Sequence, residues 1–216
     1  MLFNHAFFDL DGTLTDPKEG ILNAFHYTIS KLGLENKTDG FLETLIGPPL
    51  FNSFKEHFGF NDDNVIDAIN CFREFYSQKG IFQNKIYPGI EDLLAKLTLN
   101  NISLYIATSK PYDYASQIIE HFGLNKYFKD IAGSLMDGSR VEKHEIIAYQ
   151  IQKHNLQNHK DIIMIGDRKH DILGSHYHSI PCISVLWGYG SNLEFQENHS
   201  DYIVDNPAQI LKIICD

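Results

Sequence analysis

Asp9 and Asp11 stand one residue apart at the end of an apolar run, in the segment Phe7-Phe8-Asp9-Leu10-Asp11-Gly12-Thr13-Leu14-Thr15-Asp16. Two carboxylates at that spacing can serve catalysis, form part of a calcium loop, or shape a turn, and the spacing alone leaves all three open. Three further segments carry comparable residue types. Thr108-Ser109-Lys110-Pro111 follows the apolar run Leu104-Tyr105-Ile106-Ala107 and offers a hydroxyl and two backbone amides, suited either to phosphate or to capping the next helix. Lys143 opens another helical pattern as a cation that can reach inward or be solvated. Ile162-Ile163-Met164-Ile165-Gly166-Asp167-Arg168-Lys169-His170-Asp171 repeats the opening theme, an apolar strand followed by two acids. If Asp9, Asp11, Asp167 and Asp171 converge, two like charges about 4 Å apart repel by roughly 4 kcal/mol at an effective dielectric of 20. Such a cluster demands a cation. Oxygen-only ligands meant to share a phosphate oxygen suit magnesium better than zinc, with Lys143 as a second positive charge.

The elements that would position these groups follow from periodicity. Asn4 to Phe8 reads as a central strand, and Gly12-Thr13 as a turn that leaves both acids at its carboxyl end, where open α/β sheets hold ligands. Asp16 is placed to cap a helix over 17–32, with Pro17 first and Gly33 as the stop. Three more helices are expected over 38–46, 50–58 and 62–78. After Tyr87-Pro88-Gly89, strands at 103–107, 130–133, 162–165, 182–186 and 202–204 alternate with helices at 90–99, 112–122, 143–154, 172–178 and 207–214. The expected fold is therefore α/β, a Rossmann-like, mainly parallel sheet with helices on both faces and an all-helical cap inserted after the first strand. The expected core comprises residues 1–15 and 85–216, and the cap residues 16–84.

Composition narrows the function. A chain of 216 residues with 43% apolar content can bury a substantial core, and its formal charge of −10 disfavours wrapping a nucleic-acid backbone. No run suits a membrane span and the start lacks the pattern of a secretory signal, so a cytoplasmic protein is expected. Cys71, Cys182 and Cys215 are odd in number and far apart, which points to reduced thiols. The 11 histidines, His170, His176 and His178 among them, do not form a zinc pattern, and His144-Glu145 lacks the second histidine of HExxH.

As a set, DxDGTLTD, Thr108, Lys143 and GDxxxD resemble the four signature motifs of the haloacid dehalogenase superfamily, in its phosphatase branch, over nearly the whole chain. The resemblance implies that Asp9 is a nucleophile forming an aspartyl-phosphate and that Asp11 protonates the leaving oxygen and then activates water. It also implies that Thr108 and the Ser109 amide bind phosphate oxygens, and that Lys143 neutralises them and positions Asp9. Magnesium would be held by Asp9, the Asp11 backbone carbonyl and Asp167, with Asp171 in direct contact or one shell out. The acid two residues after the nucleophile argues against a dehalogenase, which has no leaving alcohol to protonate.

The inserted helices are similar to the caps of phosphoglycolate phosphatases, bacterial nucleotidases and β-phosphoglucomutase, which implies that specificity resides there. Ile46-Gly47-Pro48-Pro49-Leu50, together with Thr108-Ser109-Lys110-Pro111 and Leu186-Trp187-Gly188-Tyr189-Gly190, resembles phosphoglycolate phosphatase-like proteins, 5'-nucleotidases included, although Pro48-Pro49 also reads as a break between helices and Trp187 as a core aromatic. The expected activity is magnesium-dependent phosphomonoester hydrolysis on a small phosphorylated metabolite, 2-phosphoglycolate or a nucleoside 5'-monophosphate, by a monomer or homodimer. A phosphosugar mutase is the alternative, and a non-catalytic phosphometabolite- or partner-binding protein a remote one.

Overall fold

A computed structural model describes residues 3–215; the extreme ends of the expected core, residues 1–2 and 216, lie outside the described residues. The chain divides into two compact units, one formed by residues 1–16 with 86–216 and one by residues 17–85.

The first unit holds the parallel sheet. Its strands are β1 (His5–Phe8), β4 (Ser103–Pro111), β5 (Phe128–Ser134), β6 (Ile162–Gly166), β7 (Cys182–Val185) and β8 (Tyr202–Val204). Two short strands, β2 (Thr15–Asp16) and β3 (Lys85–Ile86), form a separate pair. The six strands run in the order β5-β4-β1-β6-β7-β8, and every neighbouring pair is parallel. Helices α5 (Ile90–Leu99), α6 (Tyr112–His121), α7 (Lys143–His154), α8 (Lys169–His176), α9 (Asn192–Glu197) and α10 (Pro207–Cys215) connect and cover them.

Because β1 is central and covered, it is apolar on both faces: Ala6, Phe7 and Phe8 are fully buried. Phe7 packs with Tyr105, Ile146, Ile147, Met164, Ile172 and Phe195 in one continuous core. The strand pairs with β4 on one side and β6 on the other, so the order of connection reverses beside it. In sheets of this kind such a reversal marks the carboxyl ends of the strands beside it, here β1, β4 and β6, as the general ligand position.

The second unit is helical: α1 (Lys18–Leu32), α2 (Asp39–Glu43), α3 (Leu50–Phe58) and α4 (Val65–Gln78). Phe25 is its apolar centre, with ring contacts to Phe54, Phe58 and Phe72. The end of α1 matches the sequence reading, since Gly33 adopts φ 64° there. Its start does not. Pro17 occupies the cap position without a side-chain bond, because Asp16 lies in β2 and its carboxylate accepts the Tyr189 hydroxyl instead.

Two other helices are shorter than expected for local reasons. After Glu43 the backbone tightens into bonds three residues apart, as from Ile46 N to Glu43 O, ahead of Gly47-Pro48-Pro49. The segment 61–64 is held as a turn by the Asn61 side chain, which accepts from the amides of Asp63 and Asn64, so α4 begins at Val65. Helix α9 has no counterpart in the sequence reading, although Ser191 capping the Glu194 amide is a recognisable start signal. Cys71 and Cys182 are buried free thiols. Among the described residues no helix is long and apolar enough to cross a membrane.

Candidate active site

Asp9 follows β1 directly, and its amide continues the ladder by donating to Ile165 O at 2.9 Å. The chain then folds back through Leu10–Thr15, with the amides of Leu14 and Thr15 both donating to Leu10 O. Gly12 makes this turn at φ 81°, and a Cβ there would lie 2.1 Å from Asp167 Oδ2. Glycine is thus required twice, for the backbone angle and for the approach of the carboxylate.

Lys143 opens α7 and is 4% exposed. Its Nζ lies 3.0 Å from Asp9 Oδ1 and 2.7 Å from Asp171 Oδ1, and donates to Ala107 O at 3.0 Å. Lys143 therefore reaches inward and is not solvated, linking the Ala107 carbonyl of β4 to the acids after β1 and β6. Asp171 also caps the start of α8: Oδ2 accepts the amides of Asp167 and Arg168 at 3.2 and 3.1 Å. That bond starts α8 at Lys169, three residues earlier than expected. Asp167 is fully buried, accepting the Tyr189 amide at 2.8 Å on Oδ2 and the Thr13 hydroxyl at 3.4 Å on Oδ1.

Asp9, Asp167 and Asp171 each offer a carboxylate oxygen within 4.8 Å of the others. Three acids around one lysine leave excess negative charge, and the titration directions express it. Burial, with the neighbouring Asp171 and Asp9, raises Asp167 well above the carboxylate range. Burial lifts Asp171 to about 6 despite the attraction of Lys143. For Lys143, burial opposes the charge, but Asp171 and Asp9 outweigh it and hold the ammonium above its ordinary value. The residues fit a hard divalent cation: the donors are all oxygen and convergent, Asp167 and Asp171 are buried, and charge compensation is what they lack.

Asp11 points to a different partner. Its Oδ2 pairs with Lys110 Nζ at 2.5 Å, and its Oδ1 is buried without a hydrogen-bond partner. Burial raises its pKa, and Lys110 opposes the rise.

Thr108 and Ser109 lie within β4, which runs four residues further than expected, to Pro111. They therefore do not cap α6, which starts after Pro111 with no side-chain cap. Thr108 is 1% exposed and accepts the Lys110 amide at 3.2 Å, while the Ser109 carbonyl accepts the Ser134 hydroxyl at 2.8 Å. Thr108 directly follows Ala107, whose carbonyl Lys143 reaches.

The structure thus brings Asp9, Lys143, Asp167 and Asp171 into direct proximity, carries Thr108 and Ser109 to the same sheet edge, and gives Asp11 its own lysine. Three contributors were not singled out from sequence: Lys110, Tyr189 through its amide, and Glu194, which accepts Lys169 N at 2.6 Å and Arg168 Nε at 3.2 Å. Trp187 donates to Thr13 O at 3.0 Å, bracing the turn after Asp11. Of the histidines noted in the sequence, His176 bonds Asp201 and His178 the His144 carbonyl. Among the described residues, the three aspartates form the group able to hold a metal ion.

Comparison with known proteins points the same way. The profile of the haloacid dehalogenase-like hydrolases matches residues 6–185. A 5'-nucleotidase of Pseudomonas aeruginosa is 36% identical over 212 residues, covering 98% of this chain and 96% of that protein. The tyrosine-protein kinase PtkA of Mycobacterium tuberculosis is 34% identical over 203 residues, covering 94% of this chain and 68% of that protein. Among solved structures, one described as a predicted phosphatase from Clostridium acetobutylicum superposes with a TM-score of 0.95 at 39% identity, covering 99% of each chain.

Proposed function

The chain belongs to the haloacid dehalogenase-like hydrolase family, and from that premise we propose that it is a magnesium-dependent phosphomonoesterase acting on a small phosphorylated metabolite. The observation that carries the reading is Lys143 seated between Asp9 and Asp171, with Asp167 closing a carboxylate cluster beside them.

In this reading an Asp9 oxygen attacks phosphorus, forming an aspartyl-phosphate, while Asp11 gives its proton to the departing alcohol oxygen. Asp11 then takes a proton from water as that water displaces Asp9 and frees inorganic phosphate. The Thr108 hydroxyl, the Ser109 amide and the Lys143 ammonium hold the phosphoryl oxygens, and Lys143 orients Asp9. Asp9, the Asp11 carbonyl, Asp167 and Asp171 would hold magnesium, which supplies charge neutralisation at the phosphoryl oxygens.

A nucleoside 5'-monophosphate is the first substrate to test, because the Pseudomonas relative named for that activity aligns along nearly its whole length. 2-Phosphoglycolate is the second, on the motif resemblance. Phosphate release from a panel of phosphorylated metabolites, with and without magnesium, tests the reading. Asp9→Asn should abolish release; release unchanged in that variant overturns the nucleophile assignment. Free phosphate as product separates hydrolysis from transfer to a second substrate hydroxyl.

A further inference from the structure

The two acids after β1 are each met by a lysine, and only one of those lysines has a role so far. Lys110 and Asp11 form a part-buried pair, their side chains 6% and 14% exposed. An ammonium is a donor only, so the Asp11 oxygen that it occupies, Oδ2, is the acceptor of the pair. When Asp11 carries a proton, that proton belongs on Oδ1, the buried oxygen with no protein partner.

The backbone that presents Lys110 is also fixed. The register between β4 and β5 shifts between Ala107 and Pro111. Within this irregular stretch the Lys110 amide is tied to Thr108 Oγ1 and the Ser109 carbonyl to Ser134 Oγ. Gly133 lets β5 pass close beneath, since a Cβ there would lie 2.5 Å from Lys110 O.

We propose that Lys110 is a positioning residue for proton transfer: by occupying Oδ2 it fixes the Asp11 carboxyl so that Oδ1 delivers the proton to the leaving oxygen. As Asp9 bonds to phosphorus, the electron pair of the breaking P–O bond goes to the leaving oxygen and the Oδ1 proton joins it. A neutral alcohol departs and Asp11 remains as a carboxylate facing Lys110. The inference rests on the phosphatase reading above and adds to it which oxygen donates and what holds it.

A role in proton delivery differs from a structural one in its dependence on the leaving group. Benzyl phosphate releases a basic alkoxide that needs a proton, whereas 4-nitrophenyl phosphate releases a stable phenolate that does not. General-acid assistance is worth roughly 10²–10⁴-fold. In Lys110→Met the ratio of kcat/KM for benzyl over 4-nitrophenyl phosphate should fall by about 100-fold. Lys110→Arg, which keeps a charged donor, should keep most of the ratio. Should the methionine variant not fold, Lys110→Gln measured against Lys110→Arg gives the same comparison.

A ratio equal to wild type in both non-cationic variants, or equal loss on both esters, overturns the inference while leaving the phosphatase reading intact. A wild type that hydrolyses neither ester nor any member of the metabolite panel overturns both.

Discussion

Gly12 and Asp167 touch across the site: a single methyl on Gly12 would stand 2.1 Å from Asp167 Oδ2, at a backbone φ of 81°. Gly12→Ala must therefore adopt a left-handed backbone and displace a buried carboxylate. Left-handed strain alone costs about 1–3 kcal/mol, and each kcal/mol lowers Tm by roughly 2–4 °C in a chain of this size. Calorimetry should show that loss, and a magnesium titration should show weakened binding because Asp167 has moved. A variant as stable and as tight as wild type would contradict the geometry.

Lys143 compensates two buried carboxylates at once, at 3.0 Å from Asp9 and 2.7 Å from Asp171. Removing one partner of a buried ionic group leaves an uncompensated charge and costs about 3–5 kcal/mol. Lys143→Met should lose that much stability in chelator and at least about 100-fold in turnover, as expected for loss of a preorganised charge at the phosphoryl group. Denaturant unfolding and phosphate release measure the two separately.

Asp167 is held against its neighbours' charge, and a bound divalent cation is what would relieve the strain. The carboxamide of Asp167→Asn can still accept the Tyr189 amide, while its nitrogen donates to a rotated Thr13 hydroxyl, so packing survives. The expected result is a crossover: the variant has the higher Tm in chelator, whereas wild type gains more from magnesium, by RT ln(1 + [L]/Kd). Parallel shifts of both proteins with magnesium would argue against Asp167 as a ligand.

Much of this site was legible before the fold, for a physical reason. Motif acids at strand ends must leave apolar runs abruptly, and Asp9 and Asp167 do so after Phe8 and Ile165. Strand and helix alternation was equally clear because buried parallel strands are continuously apolar. What could not be read was tertiary partnership. Asp16 has every local mark of a helix cap, yet a tyrosine 173 positions away claims it. Lys110 sits beside two noted residues, but its use depends on an irregular stretch of β4 that only pairing with β5 creates. Helix α9 is short and polar, so periodicity carried little signal.

Asp130 supplies a pH signature away from the site. Although burial opposes it, Lys153 at 2.8 Å and His154 at 2.9 Å hold its pKa below the usual value. A carboxylate whose folded pKa is depressed adds stability above the unfolded value, about 3.9, and loses it as pH falls through the folded value. Because the pair is partly exposed, the contribution is about 0.5–1 kcal/mol. Asp130→Asn should therefore unfold slightly below wild type in Tm at pH 7, and the two curves should converge below about pH 3. A gap that persists undiminished at low pH would assign the loss to packing instead.

Glu194 tests whether the unanticipated helix α9 serves the acidic cluster. Its carboxylate accepts both the Lys169 amide and Arg168 Nε, so it clamps the two residues that follow Asp167. Hydrogen bonds to a charged acceptor contribute about 1.5–3 kcal/mol, reduced here because the glutamate is 19% exposed. Outer contacts that orient a ligand commonly change metal affinity by roughly 10–100-fold when removed. Glu194→Ala should therefore lose about 1–2 kcal/mol of stability and bind magnesium about tenfold more weakly, with Glu194→Gln between it and wild type because the amide oxygen still accepts. Calorimetric unfolding and a magnesium titration of all three proteins decide it: a stability loss with unaltered magnesium affinity would confine Glu194 to capping α8 and separate α9 from the chemistry.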